Sequence, residues 1–132
     1  MKAASVPHAA GAEVVGTCGM ANVEFVKELG ADTMVDYAQI GMKEWIDGKE
    51  ERKFDVVLDC VGGQILTDAW TCEREDSFLI SVAEPPEGDK LEEGVSAGVR
   101  HAFFIVDPHG SQLALITKLI EAERCKGIVD GV

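Results

Sequence analysis

Phe54-Asp55-Val56-Val57-Leu58-Asp59-Cys60-Val61-Gly62-Gly63 is the stretch whose reading decides the fold. Phe54 to Asp59 is a short apolar run rich in β-branched residues, closed by a turn with two adjacent glycines. That combination predicts a buried strand ending in a tight turn. Gln64 to Cys72 follows with the composition of a helix. Downstream, Ser77 to Val82 predicts another strand, and Glu84 to Gly98, rich in Glu, Gly and Pro, predicts a solvated loop. His101 to Val106 predicts a further strand. A helix opens near Pro108-His109-Gly110-Ser111 and runs to about Glu123, with Leu113, Ile116, Leu119 and Ile120 on one face.

Upstream the pattern repeats. Glu13 to Thr17 predicts a buried strand after Gly11. Asn22 to Leu29 carries apolar residues at Val23, Phe25, Val26 and Leu29, a helical spacing that Gly30 terminates. Thr33 to Asp36 predicts a second strand, and Met42 to Ile46 a short helix in which Trp45 packs. Short apolar strands alternating with amphipathic helices imply an α/β fold whose mainly parallel sheet is covered on both faces. The expected organisation is one domain over residues 1–132.

Composition sets limits. The chain has 132 residues, 12 Lys and Arg against 24 Asp and Glu, and a formal net charge of −12. No cationic cluster exists to meet phosphate, so nucleic acid and anionic membrane surfaces are not expected partners. No apolar run has the length of a signal peptide or a membrane span, which points to the cytoplasm. Cys18, Cys60, Cys72 and Cys125 form no CxxC pair and no zinc-finger spacing with histidine, so buried reduced thiols and no metal are expected.

The stretches Ala10-Gly11-Ala12-Glu13-Val14-Val15-Gly16-Thr17-Cys18 and Asn22 to Asp32, with Val35-Asp36-Tyr37 and Phe54 to Gly63, resemble the medium-chain dehydrogenase/reductase superfamily. Their order and spacing match the cofactor domain of its quinone-reductase and trans-enoyl-reductase branches. Phe103 to Val106, with Pro108, Gly110 and Leu113, extends the match. The resemblance implies a Rossmann-like, three-layer domain that binds NADP(H) and serves an oxidoreductase. In that family a strand and a glycine-rich turn precede Gly11, and the turn sets helix N–H groups against the cofactor pyrophosphate. The sequence holds no GxGxxG. The expectation is therefore an incomplete Rossmann-like fold, truncated at both ends, without the first strand, its phosphate turn or a substrate domain. The Glu13 and Phe54 strands would then close on each other, or the chain would dimerise or accept a strand from a partner chain.

The resemblance also places site residues. Thr17, Cys18 and Asn22 end the first strand where the cofactor is selected, and the absence of a carboxylate there favours NADP(H) over NAD. Asn22 also suits a helix N-cap. Tyr37 matches a position lining the adenosine side, or is an amphipathic strand-end residue. Cys60, Val61 and Gly62 sit at a strand's carboxyl end, where open α/β sheets bind ligands, and the glycines equally suit a plain turn. Phe103 and Phe104, with Ile105, resemble the strand beside the nicotinamide, or fill the core. Asp36, Tyr37, His101 and His109 are the acid–base candidates, with no nucleophile or metal constellation around them. Asp107 and Ser111 are candidate helix caps.

Three functions remain open from sequence. One is a truncated module of an NADP(H)-dependent quinone or enoyl reductase with weak or no activity alone, its cofactor affinity weak or lost. Another is a cofactor-free isomerase, dehydratase or cyclase acting on a small organic molecule in the former cofactor crevice. The third is a non-catalytic assembly module that recruits a partner by strand addition.

Overall fold

β-Branched and apolar runs become strands where the sequence places them. In the computed structural model, which describes residues 10–125, β1 is Val15–Cys18, β2 Thr33–Asp36, β3 Phe54–Asp59, β4 Glu73–Ser81 and β5 Arg100–Phe103. The helices are α1 Val23–Glu28, α2 Met42–Ile46, α3 Gln64–Ala69 and α4 Gly110–Glu121. The expectations placed on residues 1–9, including Pro7 and His8, and on Gly127–Val132 lie outside the described residues.

Every ladder is parallel, as alternating strands and helices require. β1 pairs with β2 in one sheet, with Val15 opposite Thr33 and Cys18 opposite Asp36. The other sheet has the order β3-β4-β5. The chain divides into two compact units, Met1–Gln39 with Asp107–Val132, and Ile40–Val106. The first holds β1, α1, β2 and α4; Cys18, Leu29, Ala31, Val35 and Cys125 are its buried apolar residues. The second packs Leu66, Ala69 and Trp70 of the α3 region against Leu79 of β4, with Val57, Val95 and Val99 around them. Among the described residues β1 pairs with β2 and β3 with β4.

Several boundaries differ from the sequence reading, each for a local reason. The first strand starts at Val15, because Val14 is engaged by Asp32: its N–H donates to Oδ2 at 2.8 Å and its carbonyl accepts from Asp32 N–H at 2.8 Å. α3 stops at Ala69, where the Thr71 and Cys72 amides turn back onto Asp68 and Ala69. That turn lets Phe54 N–H reach the Cys72 carbonyl at 2.9 Å and starts β4 at Glu73, four residues before its apolar run. β4 is irregular there. β3 advances two residues, Phe54 to Val56, while β4 advances five, Glu73 to Phe78, and Asp76 takes φ +57° inside the excess. The loop expected over Glu84 to Gly98 contains a 3-10 turn at Pro86–Asp89. β5 ends at Phe103, so Phe104 to Val106 lie beyond it and are exposed rather than core, Ile105 at 79%. α4 keeps its expected apolar stripe, yet buries none of its residues. Trp45 packs as expected: it stacks on Phe54 with ring centroids 6.4 Å apart, and the Arg52 guanidinium lies 4.4 Å above it.

Candidate functional site

In a parallel sheet all strands end on one side, and their carboxyl-end turns gather the residues that can meet a ligand. In the first unit, β1 ends at Cys18 opposite Asp36, the end of β2. Thr17 and Asn22 are exposed and Cys18 is buried. Asn22 occupies the N-cap position of α1, but its side chain makes no capping bond. Tyr37 is 61% exposed and its phenol leans over Gly19: a Cβ added at Gly19 would lie 3.4 Å from Oη. Asp36 is committed locally, Oδ1 accepting the Ala38 N–H at 3.0 Å and Oδ2 the Gln39 amide at 2.9 Å. Thr17, Cys18, Asn22 and Tyr37 thus occupy one set of strand-end turns.

In the second unit, Asp59, Ser81 and Phe103 lie in register across the carboxyl ends of β3, β4 and β5. Asp59 is buried, and its bonds need no cation. Oδ1 accepts the Val61 and Gly62 N–H groups at 3.1 Å each, and Oδ2 accepts Gly62 N–H at 3.2 Å and the Ser81 hydroxyl at 2.8 Å. Ser81 Oγ in turn accepts the Ala83 and Glu84 N–H groups at 3.2 and 3.3 Å. Glu84 returns its carboxylate to Gly63 N–H. Gly62 holds φ +79° with the Glu84 carboxylate where a Cβ would point, so glycine is required there. Val61 is 69% exposed beside it, and Phe104 is exposed after β5, its N–H on the Ser81 carbonyl at 3.3 Å.

Cys60 follows Asp59 and is exposed, against the expectation that all four thiols are buried; Cys18, Cys72 and Cys125 are buried, and all four are free. Desolvation, then the Asp59 charge, raises the Cys60 thiol above its usual range and keeps it from acting as a thiolate. His101 anchors the Pro86–Asp89 turn: Nε2 pairs with Glu87 at 3.1 Å, its ring meets Trp70 edge-on at 5.3 Å, and Trp70 Nε1–H donates to the Pro86 carbonyl at 3.0 Å. His109 precedes α4 and bonds Ser111 through Nδ1 at 2.9 Å. No side chain caps that helix, so the capping expected of Asp107 or Ser111 is absent. The four acid–base candidates therefore split: Asp36 adjoins Tyr37, while His101 and His109 each serve a different local contact. An open cleft of about 390 Å³, lined by Lys43, Lys53, Thr71 and Gly94 among others, flanks the amino ends of β3 and β4 instead.

The family model described as zinc-binding dehydrogenase matches residues 2–104. The chain belongs to that family. A probable mitochondrial zinc-binding oxidoreductase of Arthroderma benhamiae is 40% identical over 119 residues, covering 90% of this chain and 36% of the relative. A chloroplastic NADPH-dependent alkenal/one oxidoreductase of Arabidopsis thaliana is 29% identical over 119 residues, covering 89% of this chain and 26% of the relative. This zinc-binding dehydrogenase family chain thus spans about a third or less of those relatives' length. The quinone oxidoreductase of Coxiella burnetii superposes with TM-score 0.81 over 97% of this chain and 39% of its own, at 21% identity, which fixes the Rossmann-like fold. The expected superfamily membership is thereby established at the level of the zinc-binding dehydrogenase family.

Sequence reading missed Ser81 and Glu84. The signal was a small polar residue closing an apolar run, at the same strand-end position that Asp59 takes in its neighbour. The family's name raises zinc, yet among the described residues no group of three or more His, Cys, Asp or Glu could hold a metal ion. These residues offer zinc no ligand set.

Proposed function

We propose that the chain is the nucleotide-binding part of an NADP(H)-dependent reductase of quinones or activated alkenes, with the adenosine end of the dinucleotide at the carboxyl ends of β1 and β2. The observation carrying this reading is the chemistry of the β1–β2 turns. Thr17 and Asn22 are exposed and uncharged, Asn22 is not spent on a cap, and no carboxylate follows Cys18 to repel a 2′-phosphate. The exposed Tyr37 ring offers a face for the adenine. The residues fit an NADP(H) adenosine end, though without a cation in that loop. When bound, the cofactor supplies the hydride. Within the second unit, Cys60, Val61 and Gly62 shape the β3 turn, and Phe103 and Phe104 shape the end of β5. The Arabidopsis relative's NADPH dependence supports the same cofactor.

Titration with NADPH and NADH, followed by nicotinamide fluorescence, tests this. Saturable binding is expected, tighter for NADPH. No binding at millimolar cofactor sinks the reading.

A second reading, an assembly module, is favoured by one observation. β3 is an edge strand of its sheet and exposes Val56 at 59% and also Leu58. Unpaired edges with apolar neighbours recruit strands. A homodimer or a strand-donating partner follows from that reading, and a strict monomer by light scattering at high concentration removes it. The free thiols fit a reducing compartment, whether cytoplasm or the organelles named for the relatives.

A further inference from the structure

We infer that Asp59 is a positioning residue: through its buried carboxylate and the Ser81 hydroxyl it couples the turn after β3 to the turn after β4, so that the two present a ligand with one rigid ledge. The inference rests on the nucleotide reading above only for what the ledge is for; the coupling itself stands on the hydrogen bonds.

The argument begins with burial. A carboxylate removed from water must recover its lost solvation from fixed donors. Asp59 is 4% exposed and Ser81 fully buried. Among the described residues no cationic side chain bonds the Asp59 carboxylate; its donors are two backbone amides and one hydroxyl, distributed over both oxygens. The amides belong to Val61 and Gly62, so one side of the carboxylate fixes the β3 turn. The hydroxyl belongs to Ser81, which ends β4 and whose oxygen accepts Ala83 and Glu84 N–H. Ser81 stands between the two turns, placed to donate to the carboxylate that holds one and to accept from the other. It does both: its single proton points to Asp59, leaving its lone pairs for the β4 turn.

The Glu84 carboxylate closes the loop by accepting from Gly63 N–H. From Asp59 the path therefore runs to Gly62, along the chain to Gly63, across to Glu84, and back through Ser81. Charge-assisted bonds in such a ring polarise one another, so removing one member loosens the others. Neighbouring ladder bonds keep the strand ends aligned: Val82 N–H donates to the Asp59 carbonyl at 3.0 Å, and Phe104 N–H to the Ser81 carbonyl at 3.3 Å. The ring adds to these a control over the turns, which the ladder does not reach. Ligand contact falls on the turns, where Val61 and Phe104 are exposed.

The test uses the full chain and amide hydrogen exchange resolved at Val61, Gly62, Ala83 and Glu84, for the wild type, Ser81→Ala, Ser81→Thr and Asp59→Asn. Loss of a bond to a charged acceptor corresponds to an exchange increase of about tenfold or more. Ser81→Ala is expected to raise exchange by that factor in both turns, including Val61 and Gly62, which Ser81 does not touch. Ser81→Thr, which restores the hydroxyl, is expected to return both turns to wild-type rates. Exchange rising only at Ala83 and Glu84 overturns the coupling. Ser81→Ala is the milder change and decides the matter should Asp59→Asn fail to fold. NADPH titration of the same variants separates the two claims. Coupled exchange with no NADPH binding by the wild type removes the nucleotide reading and leaves the ledge. Wild-type binding that Ser81→Ala leaves unchanged, despite coupled exchange, overturns the ledge's role toward the ligand.

Discussion

Glu73 is the residue whose surroundings most oppose its chemistry. It opens β4 fully buried, one oxygen accepting the Ser77 hydroxyl and the other, Oε1, without a partner. Burial raises its carboxyl from 4.5 to about 7, with the Ser77 bond opposing in part. The sign of the pH effect follows. Below pH 4.5 the carboxyl is neutral in both folded and unfolded chains. Between 4.5 and 7 the unfolded chain gives up a proton that the folded chain keeps, so stability falls as pH rises. Above 7 the loss levels off, on the order of 3 kcal/mol. Glu73→Gln removes this term. Urea unfolding at pH 4.5 and 7.5 should show the variant gaining on the wild type by that order at the higher pH. An unchanging difference between the two proteins would show that Glu73 is already charged in the folded chain. Single residues of this kind were hard to read from sequence. Asp36 and His101 look like acid–base groups in a string of letters, and only the fold shows that Asp36 is spent on its own turn and His101 on Glu87.

At the scale of elements, the sequence was most legible where hydrophobicity and chain direction agree. β2, α2 and β3 have the expected bounds because each is a short apolar or amphipathic run with a turn residue beside it. β4 was half hidden. Its first four residues, Glu73-Arg74-Glu75-Asp76, look like loop, and they join the strand only because Arg74 pairs with Asp55 of β3 at 2.8 Å and Asp76 N–H reaches the Ala97 carbonyl at 3.0 Å. Such bonds depend on neighbours far along the chain, which local patterning cannot supply. The excess residues of β4 carry the strain. Asp76 sits at φ +57°, a conformation that Asp and Asn tolerate and β-branched residues do not. Asp76→Val should cost about 1–2 kcal/mol, whereas Asp76→Asn should stay within about 0.5 kcal/mol of the wild type. Chemical denaturation midpoints of the two variants check this. Equal midpoints would mean that the bulge relaxes to a strain-free backbone without cost to the fold.

For the whole molecule, family and fold class were legible because order and spacing of loose motifs survive where single residues do not. What the sequence could not convey is how backbone pairing divides among the described residues: a two-stranded sheet, β1-β2, and a three-stranded sheet, β3-β4-β5. The consequence is uneven local stability. Among the described residues β4 is the one strand with hydrogen-bonded neighbours on both sides, and Leu79 rests on Leu66, Ala69 and Trp70. β1 and β2 share a single four-residue ladder. Opening free energies follow contact density and the number of bonds that must break together. Amides of Leu79, Ile80 and Ser81 should therefore exchange slowest in the native state, and those of Thr17, Cys18 and Val35 at least about tenfold faster. Addition of NADPH should slow the second group more than the first, because a ligand across the β1–β2 turns stabilises only the states that bind it. Equal protection of both sheets without ligand would mean that opening β1 and β2 costs as much as opening the three-stranded sheet, and that ladder length does not set their local stability.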